Sequence, residues 1–400
     1  MTAVPVNGVL MTRLNLFDYG FRPFFLLAGI YAGVVIPAWM YLFSGHATMS
    51  GALPAMYWHA HEMLYGFVVA AIAGFLLTAV PSWTGARGFA GGPLVLAVAA
   101  WTVGRLVMAA AGHLPFWLVA AGELLFLPVL ASLLAPPLLR SRNRNLAMLV
   151  VIAVLWLIDA VFVAALARQD GLSMGRAMTL AIDVVLVLVT VIGGRIVPAF
   201  TANALRRSQE TVVVRSRTWV EVLTIGATIA IVIADLLAPA GAWTAVIAAL
   251  AAVAHAIRLS GWRSFKTRGE SILWVLHVGY AWLPVGLALK ACYLLGLAPW
   301  AAKWQHALTI GLFGTMILAV MTRASLGHTG RPLVVSRVTT AAYLLLTACA
   351  LIRVFGGAIL PAHYLPVVFA SAGLWVLAFV LYLWVYTPIL TGPRADGKTG

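Results

Sequence analysis

Acidic residues are scarce in this chain: Asp and Glu number 11 in 400, and 9% of positions are charged against 63% hydrophobic. A mean hydropathy of +1.01 leaves too little polar surface to cover a soluble globule, and too little charge for a disordered chain or a coiled coil. Cysteine is equally rare. Cys292 and Cys349 both sit in apolar runs, so neither a disulfide framework nor a CxxC pair is available. No CxxCH and no GxxxxGK[ST] occurs, which excludes covalent heme attachment and ATP-driven transport through a Walker loop. No loop is long enough to hold a DNA-binding or nucleotide-hydrolysing domain. The net charge of +15 is therefore read as a topology signal, not as nucleic-acid binding. The first twenty residues lack the short apolar core and cleavage site of a signal peptide, so the N-terminus is expected to stay attached.

What the chain does contain is long apolar runs. Spans of about 20 residues cross the hydrocarbon, and the sequence predicts twelve: 21–43, 59–80, 93–112, 114–139, 145–168, 176–200, 218–238, 241–259, 271–296, 303–324, 336–356 and 363–390. Continuously apolar stretches such as Val184 to Val191 exclude the alternating pattern of a membrane barrel. The expected fold is all-α: a polytopic integral membrane protein forming one transmembrane domain over 1–400. The basic linker Thr201 to Arg217 divides it into halves of about 21–200 and 218–390. Most of the 26 basic residues, from Arg13 to Lys398, fall on one side of this arrangement, which puts both termini in the cytoplasm. Arg168, Arg176 and Lys303 fall on the other side, and Arg105, Arg195, Lys290 and Arg353 fall within spans. Arg22 and Arg258 are counted with the basic flanks. Trp58, Trp83, Trp304 and Tyr386 lie at span ends and read as an aromatic belt.

Ionisable residues inside a bilayer face the bundle interior and pair with something. Near the outer side lie His59, His61, Glu62, Arg105, Glu123, Asp159, Asp183, Lys290, His306 and Arg353. His255, His277, Arg195, Arg323 and His328 lie nearer the cytoplasm. In Trp58-His59-Ala60-His61-Glu62-Met63, helical spacing puts His59, Glu62 and Met63 on one face and His61 with Tyr65 on another. This segment is either an interfacial cap or a ligand set for two centres. His277, beside Gly279 and Gly286, is either an axial ligand to a flat macrocycle or a hydrogen-bonded core histidine. His306 opens the tenth span and could join His59 or His61 around copper. The stretch Met321 to Pro332, with Arg323, His328 and Arg331, reads as an anion-holding loop or as an ordinary basic loop. Arg105 and Arg195, each beside glycine, need a carboxylate, propionate or carbonyl partner. Glu62, Glu123, Asp159 and Asp183 would form ion pairs or relay protons.

Several longer strings resemble the NnrS family, heme- and copper-containing membrane proteins associated with the bacterial response to nitric oxide. They are Phe21-Arg22-Pro23-Phe24-Phe25, Trp58 to Met63, Gly74 to Pro81, Gly194-Arg195-Ile196-Val197-Pro198, Leu276-His277-Val278-Gly279-Tyr280, and His306-Ala307-Leu308-Thr309 through Arg331-Pro332. The resemblance implies a twelve-helix protein of the bacterial inner membrane carrying non-covalent heme and copper. Donor chemistry assigns His59, His61, His306 and Met63 to copper. It assigns His277 and His328 to heme, with Arg105, Arg195, Arg323 and Arg331 holding anionic groups. Three functions are open: reduction of nitric oxide with quinol as electron donor, secondary transport of a metal or small anion, or sensing of nitric oxide without turnover. Membrane lipid is the expected surrounding in each. The oligomeric state is not encoded in any motif.

Overall fold

The computed structural model describes residues 15–48, 53–207, 213–215 and 217–397. Arg13 and Lys398, used in the charge count, lie outside the described residues. Among the described residues, twelve helices are long and apolar enough to cross a membrane. They are α1 Phe21–Phe43, α2 Ala55–Thr84, α3 Gly92–Ala109, α4 Phe116–Arg140, α5 Arg144–Ala167, α6 Gly171–Arg207, α7 Thr218–Leu237, α8 Ala242–Ser260, α9 Ser271–Leu294, α10 Pro299–His328, α11 Arg337–Ile359 and α12 Pro361–Thr391. No strand occurs among the described residues. Helices satisfy every backbone group within one segment, which a lipid surrounding demands.

The expected spans recur, with shifts at the ends that matter. α2 starts at Ala55, four residues before the sequence-based start, because Pro54 supplies an extended cap ahead of the helix. His59, His61 and Glu62 are thereby carried inward, and the interfacial-cap reading does not hold: His61 and Glu62 are fully buried. α2, α6, α9 and α10 are the most enclosed helices. α2 packs against α1, α4, α6 and α10, and α9 against α6, α8, α10 and α11. α1 also packs along α12, where Trp375 donates its indole N–H to the Ala32 carbonyl at 3.0 Å.

The two described ends meet on one face, called here the terminal face. Arg22 is buried there and not part of a solvated basic tail. Its guanidinium donates to the carbonyls of Leu390 (2.9 Å) and Gly392 (2.7 Å), satisfying the open carbonyls at the end of α12. The opposite, far face is the one the charge pattern assigns to the outside. The belt reading also fails for Trp58, Trp304 and Tyr386, whose rings are buried in the bundle.

Among the described residues, three helices carry a π-turn: Glu62–Val68 in α2, Ala307–Gly314 in α10 and Ile352–Gly356 in α11. Such turns insert an extra residue into the ladder and rotate the remainder of the helix, and they favour functional sites. Here they begin beside His61, beside His306 and around Arg353.

Candidate metal centre

The densest polar group in the bundle is built from α2, α3, α4 and α5. His61 lies between aromatic faces, with Tyr65 4.8 Å and Phe162 4.6 Å away between ring centroids. Its Nδ1 is 3.0 Å from Glu62 Oε1, and its Nε2 is 3.0 Å from Asp159 Oδ1 and 3.7 Å from Glu123 Oε1. Arg105 donates to Glu62 Oε1 at 2.7 Å and to Glu123 Oε1. Tyr31 of α1 donates its hydroxyl to Glu62 Oε2. Every member except Tyr31 is buried.

Glycine opens the space for this packing. The Tyr31 ring fills the position a Cβ on Gly66 would take, and a Cβ on Gly104 would lie 3.3 Å from Glu123 Oε2. That oxygen is buried and accepts no hydrogen bond.

Charge and geometry point to the same chemistry. Three carboxylates face one guanidinium, so with a neutral imidazole the group carries two excess negative charges. Buried charge of that size calls for protons or a cation. If Nδ1–H is held by Glu62, the Nε2 lone pair faces Asp159 and Glu123, an arrangement that itself asks for something positive between them. The donor atoms of His61, Glu123 and Asp159 all lie within 4.8 Å of one another. Metal bonds of about 2.0–2.2 Å at tetrahedral angles separate neighbouring ligand atoms by about 3.4 Å, close to the observed 3.0 and 3.7 Å. Glu62 on the far ring nitrogen is the carboxylate that commonly orients a ligating histidine.

The sequence-predicted residues are thus partly regrouped. Glu62 turns to His61 and not to His59, because Arg105 and Tyr31 hold its carboxylate on that side as the π-turn begins. His59 stacks on Trp39 at 4.7 Å between centroids, and its Nδ1 is buried without a partner. His306 lies within electrostatic reach of His59, Arg353 and Lys303. These two histidines do come together, but in cationic surroundings that do not favour a divalent ion. Met63 is partly buried against the core. Asp183 lies elsewhere, beside Lys290 and Asp235.

The six residues expected around heme are engaged separately. His277 Nε2 is 2.8 Å from the Thr201 hydroxyl and Nδ1 is 2.9 Å from that of Ser264. Since Thr201 gives its own proton to the Val197 carbonyl, it accepts from Nε2–H and Ser264 donates to Nδ1. Both ring nitrogens are used, and the gaps at Gly279 and Gly286 are filled by Met316 and Leu308. Heme does not fit against His277 in this packing. His328 stacks on Tyr19, and Arg331 reaches the Thr329 carbonyl at 3.4 Å. Arg323 covers the Phe200 ring at 3.9 Å. Arg195 is exposed on the bundle surface and donates to Asn145 at 2.6 Å. It is Arg258 that is buried against α6, its guanidinium occupying the place of a Gly194 Cβ.

Sequence reasoning missed Tyr31, Glu221, Asp235 and Arg258. Asp235 had a visible signal, a carboxylate in the apolar run of α7. Tyr31 had none, since a tyrosine in a membrane helix is ordinary.

The fold and the buried centre define a multi-pass helical membrane protein that lipid surrounds, with an internal site able to hold a cation. The chain matches the family described as NnrS protein over residues 15–394 and belongs to it. Membership points to a role in the nitric oxide response. No curated protein matches the chain.

Proposed function

We propose that the protein handles nitric oxide in the bacterial inner membrane at a copper ion held by His61, Glu123 and Asp159. The observation that carries this reading is the buried triad itself: one imidazole and two carboxylates at ligand spacing, with two excess negative charges for a divalent ion to neutralise. Bound copper would supply a binding site for nitric oxide and one-electron chemistry.

The remaining work belongs to the protein. Glu62 fixes the imidazole tautomer and Arg105 ties Glu62 to Glu123, so the ligands are set in place before the ion arrives. Tyr65 and Phe162 sandwich the ring and keep water from it. Nitric oxide is small and uncharged, and apolar helices admit it from the bilayer. Joining two nitric oxide molecules to give N2O and water takes two electrons and two protons; a quinol, oxidised to its quinone, supplies both. The hydroxyl of the half-buried Tyr31, bonded to Glu62, can hand a proton to that carboxylate. Heme has no fitted place at His277, and this reading rests on copper alone.

Purified protein loaded with copper and assayed for N2O from nitric oxide and a reduced quinol tests the proposal. The wild type should retain copper and form N2O, and His61→Ala should lose at least about tenfold in copper affinity. Copper retention unchanged in His61→Ala refutes the ligand assignment. Copper retained with no N2O formed leaves binding or sensing as the function.

A further inference from the structure

Outside the candidate metal centre, α6, α7, α8 and α9 enclose two polar groups stacked along the membrane axis. Nearer the far face, the Lys290 ammonium bonds Asp235 and lies 4.7 Å over the Trp304 ring. Asp183 faces both residues and lies within hydrogen-bonding reach of the Asp235 carboxyl, yet no other side chain donates to its two buried oxygens, in a side chain 1% exposed. Two carboxylates and one ammonium leave one negative charge, which a single proton neutralises. One turn toward the far face, Gln305 donates to the Thr179 hydroxyl at 3.3 Å, and both are only half-buried.

The second group runs to the terminal face. Thr190 and Thr228 hydroxyls are 3.3 Å apart. Thr228 gives its proton to the Thr224 carbonyl at 2.7 Å, so it accepts from His255 Nε2–H at 3.0 Å. Tyr280 then donates to His255 Nδ1 at 2.8 Å and accepts from Arg258 at 2.9 Å. Arg258 pairs with Glu221, which lines a cavity of about 220 Å³ together with Arg215, Arg217 and Trp219.

The two groups are in register. Asp183 and Thr190 are seven residues apart on α6, and Thr228 and Asp235 are seven apart on the antiparallel α7. Each pair is thus two turns apart on one helical face. Leu186 and Ile231, fully buried, occupy the two turns between, a dry step of about 10 Å.

We infer that α6 to α9 form a proton-translocating unit, separate from the metal centre. Asp183 with Asp235 and Lys290 takes up the proton near the far face, and Tyr280, His255, Thr228 and Thr190 carry it there from the terminal face, the direction in which Tyr280 and His255 donate. The Arg258–Glu221 ion pair closes the inner end. Hydrogen-bonded hydroxyls and a neutral imidazole pass a proton by exchanging donors and acceptors, and the hydroxyls and imidazole then turn back to restore the starting chain. Transient water crosses the dry step.

Full-length protein in vesicles holding a pH-sensitive dye tests this, with an imposed potassium diffusion potential and neither nitric oxide nor quinol present. The wild type should pass protons well above the rate of protein-free vesicles. Asp183→Asn and Thr228→Val should each slow the flux at least tenfold while eluting and melting in detergent as the wild type does, which marks them as folded. Thr228→Val removes one hydroxyl and keeps the shape, so it decides the matter if Asp183→Asn fails to assemble. Flux no faster than in empty vesicles, or unchanged in the folded variants, overturns the inference. So does a current carried by sodium at fixed pH. None of these outcomes bears on N2O formation.

Discussion

At the scale of single residues, the candidate centre depends on groups that touch no ion. Glu62→Gln keeps the size of the side chain but weakens its hold on the His61 Nδ1–H and on Arg105. Copper affinity should fall about 10–100-fold, as is usual when a carboxylate behind a ligating histidine is lost, and a competition titration with a chelator reads it. Arg105→Leu removes the one guanidinium shared by two buried glutamates. It should cost about 3–5 kcal/mol of stability, seen as a large drop in melting temperature in detergent, and an unshifted melt would contradict the ion-pair geometry. His277→Ala should cost about 1–3 kcal/mol through unpaired Thr201 and Ser264 and leave the optical spectrum of the protein unchanged. Loss of a Soret band in that variant would restore His277 as a heme ligand. The sequence revealed which residues lie in the bilayer and near which face, because charge in an apolar run is conspicuous. It did not reveal partners. Glu62 with His61, Arg258 against Gly194 and the outward Arg195 depend on which way a side chain turns between neighbouring helices, and helical spacing alone does not say.

At the scale of elements, the π-turns account for part of that gap. Helical-wheel spacing assumes one pitch throughout, and α2 changes pitch at Glu62, beside the residues that matter most. Deleting Leu64 should restore a regular helix and rotate His61 by about 100° relative to the terminal-face half of α2. Copper retention should be lost while the remaining helices still form, as circular dichroism and a binding assay on one sample would show. A helix start gives a simpler case. Asp170 accepts from the Ser173 N–H at 3.1 Å and from its hydroxyl at 2.5 Å ahead of α6. These bonds hold its carboxyl below the ordinary carboxylate range. The cap is therefore intact above the ordinary value and is lost as pH falls through the lowered one. Amide exchange at Ser173 should accelerate only in that acid range, and exchange independent of pH-driven uncapping would argue against the cap.

At the scale of the whole molecule, the number of helices was legible because length and hydropathy suffice to count them. Which four are enclosed was not, since hydropathy does not rank them: α5 is the most apolar helix yet largely unenclosed, while α9 and α10 are enclosed and less apolar than α2 and α6. The side on which each face lies follows only from the basic loops. A cysteine placed at Ser141, in a Cys292→Ser, Cys349→Ser background, should react with an impermeant thiol reagent only after the cells are opened. One placed at Asp170 should react in intact cells. The opposite pattern would invert the assignment of faces and, with it, the direction of the proposed proton route.

Arg22 finishing the carbonyl end of α12 has a consequence for biogenesis. Of these twelve helices, the first to leave the ribosome meets one of its two main neighbours, α12, only after the other eleven have been made, so α1 must wait in lipid with an unmatched guanidinium while they are translated. Assembly of the twelve helices therefore closes at a seam between the oldest and youngest of them, and a nascent chain that stops short of Gly392 leaves that seam open.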